Sequence, residues 1–426
     1  MENLKFNKNN NKFAINWAKL IIKNRFLVLI LTLLITGFLA INTKMEFEGD
    51  YHAFFKGTNP ELLAFDALQE KYTKDDLILI ALAPKNKNIF TIENLNAVEF
   101  LTNKSWNVPF SSRVNSLTNY QHTRAIGDDL YVEDLCYNAI GKNEDEINQI
   151  KKIALNETQL VDRVINKEGT VTAISITLKM PDGNETQDVV DLMEYYDNMI
   201  LNFKKEFPNF DVYTTGNMPL SYSFYQHSVK DLGLVAVMVL VVMIVTGILT
   251  RNIFALISTF FVYLFSLLST TGFIGLMGIK LTGPSAIFPT VILTLAVADS
   301  IHILVTYLQK LRTEDYAKND ALIESMRLNF MPVFITSLTT TIGFLTLNFS
   351  EVPPFNDLGN IVAFGMTMAF LFSTTLLPAL MSIFPYWKKD NTKEKQISAW
   401  YTNFANWVVA HPKKLTVISI FIIAVL

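Results

Sequence analysis

An aspartate and a histidine stand three positions apart in an otherwise apolar stretch, Pro289 to Leu308 (PTVILTLAVADSIHILVTYL). In a helix this spacing places Asp299 and His302 on the same side. A carboxylate at the middle of a bilayer costs about 2.5–3.5 kcal/mol on insertion scales, and a low dielectric penalises its charged form. We therefore expect Asp299 to change its protonation state near neutral pH. His302 is expected to assist, because imidazole ordinarily titrates in that range.

A side chain that changes charge inside a membrane can couple proton flow to helix movement. The driving force is about 2.3 kcal/mol per charge per 100 mV. The structural alternative is that Asp299 is a protonated acid bonded to a neighbouring helix, while His302 only orients it or bonds a carbonyl. Ser300 is a third, weaker relay candidate, because hydroxyls in membrane helices often bond back to their own backbone.

Apolar segments must hold this group within a bilayer, and each needs about 20 residues to cross. The chain has 426 residues, of which 50% are hydrophobic and only 18% are charged. Six complete segments are predicted at 26–43, 231–250, 253–277, 285–308, 330–348 and 359–384. A seventh apolar run begins at Leu415, so we expect the chain to stop inside an element and to be one half of a longer protein.

The orientation of these segments follows from lysine and arginine, which are enriched in cytoplasmic loops. If the six segments alternate, the basic clusters all fall on the side of the N-terminus, which is therefore expected in the cytoplasm. The predicted divisions are a cytoplasmic tail with an interfacial helix (1–25), a first span (26–43), an outer α/β domain (44–228), a five-span bundle (229–384), a cytoplasmic linker with a second interfacial helix (385–412) and the start of a seventh span (413–426).

The outer domain shows two successive strand–helix–strand patterns. They predict a pair of ferredoxin-like halves in tandem. The first set is expected at 76–83, 91–103 and 108–117, and the second at 170–178, 185–207 and 210–216.

An internal repeat links the start of the chain to its last residues. FAINWAKLIIKNRFLVLI (13–30) and FANWVVAHPKKLTVISI (404–420) both run from aromatic residues through a tryptophan and a basic cluster into an apolar run. The similarity predicts that a second copy of the unit begins near residue 400. The alternative is that any segment entering a membrane carries aromatic and basic residues.

Small and hydroxyl residues share one face of the fifth segment, which favours close helix packing. The functional alternative is a polar path along the helix contact through Thr294, Thr336 and Thr340.

Enzyme motifs such as HExxH, GxSxG and GxxxxGK[ST] do not occur in the sequence, and its five histidines are scattered. We therefore expect no enzyme activity, no metal and no cofactor. The net charge of −3 gives no reason to expect a nucleic-acid partner.

Four motifs together resemble the resistance-nodulation-division (RND) superfamily, in particular its branch of MMPL, hopanoid and Patched-like exporters. They are YTTGNMPLSYSF (213–224), LAVADSIHIL (295–304), MPVFITSLTTTIGFLTL (331–347) and LGNIVAFGMTMAFLFSTTLLPALM (358–381). The resemblance implies an α-helical polytopic protein of the bacterial inner membrane, built from two six-span halves with periplasmic porter domains of ferredoxin-like modules. Many members have a tyrosine or second acid after the aspartate, whereas this chain has Ser300 followed by His302.

The resemblance also implies export driven by the proton gradient, with Asp299 as the relay carboxylate. The outer domain (44–228) is too small for the long hairpins with which drug-efflux members dock partners. A lipid or another hydrophobic molecule is therefore the expected substrate. The expected partners are membrane lipids and the second half of the same protein, with a homo-oligomer left open. Two alternatives are a sterol-sensing or receptor module that does not transport, and an export-assisting factor of the Sec type.

Overall fold

The computed structural model describes residues 12–49, 51–72, 76–126, 128–181, 186–314, 316–385 and 402–425. The chain begins with two helices, α1 (Lys12–Lys23) and α2 (Arg25–Ile41), which bend by 87° at the residue between them. A short 3₁₀ turn (Tyr51–Phe54) and α3 (Pro60–Tyr72) then lead into a domain that contains the strands.

The strand-containing domain is built on one four-stranded sheet and a separate hairpin. Its strands are β1 (Asp76–Pro84), β2 (Ser111–Asn115), β3 (Gln121–Ile126), β4 (Asp129–Asp134), β5 (Thr172–Leu178) and β6 (Phe210–Thr215). Its helices are α4 (Ile92–Ser105), α5 (Glu144–Asn156) and α6 (Thr186–Glu206). The sheet is antiparallel in the order β2-β5-β1-β6, while β3 and β4 pair only with each other. Buried and half-buried residues alternate along β1 and β5, so one face of the sheet packs into the core of this domain.

The two predicted strand–helix–strand sets share this single sheet, so the prediction of two modules in tandem is wrong. β5, from the second set, lies between β1 and β2 of the first. A crossover helix returns its strand parallel to the first one, and the gap between them can be filled by an antiparallel strand. Interleaving the two sets leaves fewer unpaired strand edges than two separate small sheets would.

Long apolar helices make up the rest of the described chain. They are α7 (Asn217–Thr250), α8 (Ile253–Met277), α9 (Phe288–Thr313), α10 (Lys318–Leu345), α11 (Pro353–Thr374) and the short α12 (Leu376–Ile383). Within the described residues, five helical stretches are long and apolar enough to cross a membrane, and the bent α1–α2 pair makes a sixth if it counts as one span. The first five predicted segments each lie almost entirely within one helix, and the sixth (359–384) covers most of α11 and all of α12.

Local signals set the ends of the helices beside α9. Asn252 caps α8 through its side-chain oxygen, which accepts hydrogen bonds from the backbone N–H groups of Phe254 and Ala255. Gly278 ends the same helix with φ +64°, a left-handed conformation that glycine adopts without steric cost. A proline in the first turn starts both α9 and α11.

Helices α8 and α2 approach each other closely at two glycines. A Cβ atom at Gly272 would lie 2.1 Å from the carbonyl oxygen of Leu39, and one at Gly275 would lie 1.8 Å from that of Asn42. Small residues at such positions let helix backbones meet in an apolar environment. This contact joins the first helical pair to the bundle.

At the bundle centre, α9 contacts α7, α8, α10 and α11. Near the end of the chain, helix α13 (402–410) and α14 (Pro412–Val425) are separated only by His411, as α1 and α2 are separated only by Asn24. Both pairs of helices are thus interrupted at one residue, and the repeated unit itself stays a prediction.

Candidate functional site

Asp299 lies on the buried side of α9, with only 3% of its surface exposed. Its Oδ2 accepts a hydrogen bond of 2.9 Å from Oγ of Ser337 on the neighbouring helix α10. Ala296, one turn earlier on α9, is fully buried beside it in the same helical core. Among the described residues no cation lies within ion-pair distance of this carboxylate.

The structure does not bring His302 to Asp299. His302 lies on the exposed side of α9, and no hydrogen bond joins the two side chains. Three residues advance a helix by about 300°, so the two side chains point about 60° apart. This angle is enough to place Asp299 against α10 and to leave His302 outside the packed contact.

The other predicted polar residues bond to their own helices. Ser300 is fully buried, Thr340 is half-buried, and Thr294 and Thr336 are exposed. Each hydroxyl donates to the carbonyl oxygen one turn earlier: Ser300 to Ala296 at 2.7 Å, Thr294 to Thr290 at 2.9 Å, Thr336 to Pro332 at 2.9 Å and Thr340 to Thr336 at 2.8 Å. None of these four bonds joins two helices. Thr294, Thr336 and Thr340 thus donate only within their own helices, and the polar path along them stays a prediction.

Ser337 is the residue that the sequence analysis missed. It stands next to Thr336 in the hydroxyl-rich run TSLTTT (336–341), so the signal was present. Neighbouring residues point about 100° apart around a helix. The chosen stripe of Thr336 and Thr340 was therefore out of phase with the face of α10 that meets α9.

Two further polar contacts join α10 to α9. Ser325 Oγ donates to the carbonyl oxygen of Ile303 at 2.5 Å, and Asn329 Nδ2 donates to Oγ1 of Thr306 at 2.9 Å. Pro332 lies inside α10 between these contacts and Ser337. Since proline interrupts the backbone hydrogen bonds of a helix, the Ser337 end of α10 is separated from the anchored end by a weak point.

The pair formed by Asp299 and Ser337 accommodates both forms of the acid. A serine hydroxyl can donate to a carboxylate or accept from a protonated carboxyl group. A charged partner such as lysine would favour only the carboxylate. The geometry therefore suits a group that binds and releases a proton. In the part of the chain that the structure describes, histidine, cysteine and carboxylate side chains form no cluster that could hold a metal.

Comparison with known proteins places these helices in a known family of sequences. Residues 112–415 match the model described as the MMPL family. The chain is 22% identical over 374 residues to "Putative membrane protein MJ1562" of Methanocaldococcus jannaschii, an alignment that covers 84% of this chain and 90% of that protein. It is 32% identical over 118 residues to the hopanoid transporter HpnN of Rhodopseudomonas palustris, covering 27% of this chain and 13% of the transporter.

Proposed function

Because the chain belongs to the MMPL family, which its match over residues 112–415 shows, we propose that it exports a lipid or another hydrophobic molecule, driven by the proton gradient. The observation that carries the proposal is Asp299, an acid buried between α9 and α10 whose hydrogen-bond partner is the neutral Ser337. The hopanoid transporter HpnN, which resembles part of the chain, supports a lipid as the substrate class.

Protonation of Asp299 is the proposed coupling step. When the carboxylate gains a proton, it becomes a donor and Ser337 becomes the acceptor, so the contact between α9 and α10 changes its polarity. Such a change biases the relative position of the two helices, with Pro332 as the weak point of α10. Ser325 and Asn329 hold the opposite end of α10 against α9 meanwhile.

Helix α7 connects this contact directly to the strand-containing domain, which is called the sheet domain below. It has 34 residues, so it is about 51 Å long, and it contacts α9 within the bundle. At its start, the side-chain oxygen of Asn217 accepts a hydrogen bond of 2.6 Å from the backbone N–H of Leu77 on β1. Met218 is buried in the core of the sheet domain. A shift of α9 against α7 would therefore move the sheet domain.

The sheet domain is proposed as a ferredoxin-like porter module on the periplasmic side of a bacterial inner membrane, with the N-terminus in the cytoplasm. Its support is the order β2-β5-β1-β6 with two crossover helices, which matches the split β-α-β arrangement. The domain is inserted between α2 and α7, while basic residues gather at the opposite ends of the helices.

A second six-span unit is proposed to cover the exposed side of α9, as the second half of the same protein or as another copy. His302 and Thr294 lie on that side. Polar side chains at membrane depth are costly when they face lipid. The resemblance of α13–α14 to α1–α2 supports a repeated unit.

Spin labels test this arrangement in the full-length protein in bilayers, in a Cys136→Ser background. His302→Cys is labelled on α9, and Leu240→Cys, an exposed position of α7, is the matched control. We expect a label at position 302 to be shielded from oxygen dissolved in the lipid and a label at 240 to be accessible. Equal accessibility would contradict the second unit.

The transport proposal is tested with the full-length protein in proteoliposomes that contain a fluorescent lipid analogue. We expect the analogue to move between leaflets when a proton gradient is imposed. This movement should stop when a protonophore is added. Binding of the analogue without movement would favour a sensor module and overturn the proposal. If the protonophore leaves the movement unchanged, the proton gradient is not its energy source and that part of the proposal is overturned.

A further inference from the structure

Two cationic side chains converge on one end of the bundle. Arg25, at the start of α2, has Nη1 3.3 Å from the carbonyl oxygen of Ser382 at the end of α12. Lys318, at the start of α10, has Nζ 2.7 Å from the same oxygen and also donates to the carbonyl of Phe384. Because both distances end on one atom, the two nitrogens are at most 6.0 Å apart.

No carboxylate among the described residues balances these charges. Neither Arg25 nor Lys318 forms an ion pair there, whereas Lys310 pairs with Glu314 at 2.8 Å and Arg327 with Glu324 at 2.7 Å. The carboxyl end of α12 offers roughly half a negative charge, which leaves an excess of positive charge. Lysine has three N–H donors and arginine has five, so most of the guanidinium donors remain for another acceptor.

The position of the pair indicates which acceptor it would meet. Helix α1 turns by 87° from α2 and packs along the end of the bundle through the buried side chains of Ala14 and Ala18. Trp17 Nε1 donates to the carbonyl oxygen of Thr374 at 3.2 Å, which ties α1 to that end. Helices that lie across a span in this way, with tryptophan and lysine, belong to the headgroup region of a membrane.

We propose that Arg25 and Lys318 form a binding site for a phosphate group, supplied by the headgroup of an anionic phospholipid. The guanidinium fork can hold two phosphate oxygens, and the ammonium group adds a third contact. Such a lipid would join the starts of α2 and α10 to the end of α12. The site is separate from Asp299 and does not depend on the transport mechanism.

Lipid binding to the full chain in a neutral detergent tests the site, because a detergent micelle has no membrane surface potential. Native mass spectrometry would follow retention of phosphatidylglycerol and, as the zwitterionic comparison, phosphatidylcholine. The test variant is Arg25→Gln/Lys318→Gln. The control is Lys19→Gln/Lys23→Gln, which removes the same charge from exposed positions of α1. Arg25→Gln alone leaves the two Lys318 bonds to α12 intact, and it replaces the double variant if that variant does not fold.

We expect the unchanged chain to prefer phosphatidylglycerol, the test variant to lose at least about tenfold in affinity, and the control less than about twofold. Competition by inorganic phosphate would show that the phosphate group alone is recognised, and its failure to compete would show that the intact lipid is required. Either result supports the site. Equal affinity of the test and unchanged chains would overturn it. The proposal would also be overturned if the unchanged chain showed no lipid preference and the test variant lost the same thermal stability in both lipids. The two cations would then only cap α12.

Discussion

The Asp299 carboxylate is buried against a neutral hydroxyl, and this choice of partner decides what the residue can do. A buried acid held by a cation serves mainly as a structural ion pair, and loss of either partner is strongly destabilising. Ser337 instead supplies a hydrogen bond that can reverse its direction. The pair can therefore change its charge without losing its contact.

Ser337→Ala should weaken both the fold and transport, because it leaves one oxygen of a buried acid without its donor. We expect the free energy of unfolding to fall by about 1–3 kcal/mol. Ser300→Ala is the matched control, since this buried serine bonds only to its own helix, and it should change stability by less than about 1 kcal/mol. Denaturation in detergent and flux in proteoliposomes measure the two effects. Equal effects at both serines, or a failure of Ser337→Thr to restore flux, would contradict the assigned role.

Cys136 gives a residue-scale prediction for the sheet domain. It is 2% exposed, and burial, with the nearby charge of Glu99, raises the pKa of its thiol to about 11. Since the thiolate is the reactive form, maleimide labelling of the folded protein should be slow at neutral pH and should accelerate as the pH approaches 11. Denaturant should make labelling fast. Tyr137→Cys in a Cys136→Ser background is the exposed control. Equally rapid labelling at both positions would show that the reagent reaches the core of the sheet domain and that Cys136 is not buried.

At the scale of elements, the bundle depends on backbone contact as much as on side chains. Gly272 and Gly275 of α8 face carbonyl oxygens of α2 and the residue after it, with no room for a Cβ atom. By contrast, a Cβ atom at Gly37 of α2 would meet nothing within 4 Å. Replacing Gly272 or Gly275 should therefore disturb the contact between α2 and α8, whereas replacing Gly37 should not.

Gly272→Ala should lower the free energy of unfolding by about 1–3 kcal/mol, because the methyl group would force the two backbones apart. Gly37→Ala should raise it by up to about 1 kcal/mol, since alanine is the better helix former and has free space there. Thermal unfolding in detergent would show opposite signs for the two variants. The same sign and size for both would mean that α2 and α8 are not in close contact.

The sequence predicted these elements to different degrees, for physical reasons. Membrane helices are visible because about 20 successive apolar residues are needed to cross a bilayer. Helix α10 begins at Lys318, twelve residues before the predicted segment at 330. The prediction began too late because the first turns of the helix are polar and carry the Glu324–Arg327 ion pair. The four strands of the main sheet were recognised, whereas the β3–β4 hairpin was not. The partners of the strands were not recognised either, since strand pairing is a non-local choice. Ser337 was missed because the phase of a helix face depends on its neighbours.

At the scale of the whole molecule, three parts are connected by continuous elements. The α9–α10 contact holds Asp299, α7 runs from that bundle into the sheet domain, and α1 lies across the opposite end. A proton-driven exporter needs such a connection, because charge changes at one depth of the membrane must move the surface that handles the substrate. The exposed side of α9 is where we expect the second unit to complete the assembly.

The most direct test of the account is proton movement in the Asp299→Asn variant. The full-length protein would be placed in proteoliposomes with a pH-sensitive dye inside and a fluorescent lipid analogue in the membrane. Asparagine keeps the size and hydrogen bonding of the side chain but cannot carry a proton. We predict that the variant folds and binds the analogue, yet shows neither proton flux nor movement of the analogue. Proton-coupled movement at the unchanged rate would contradict the role of Asp299.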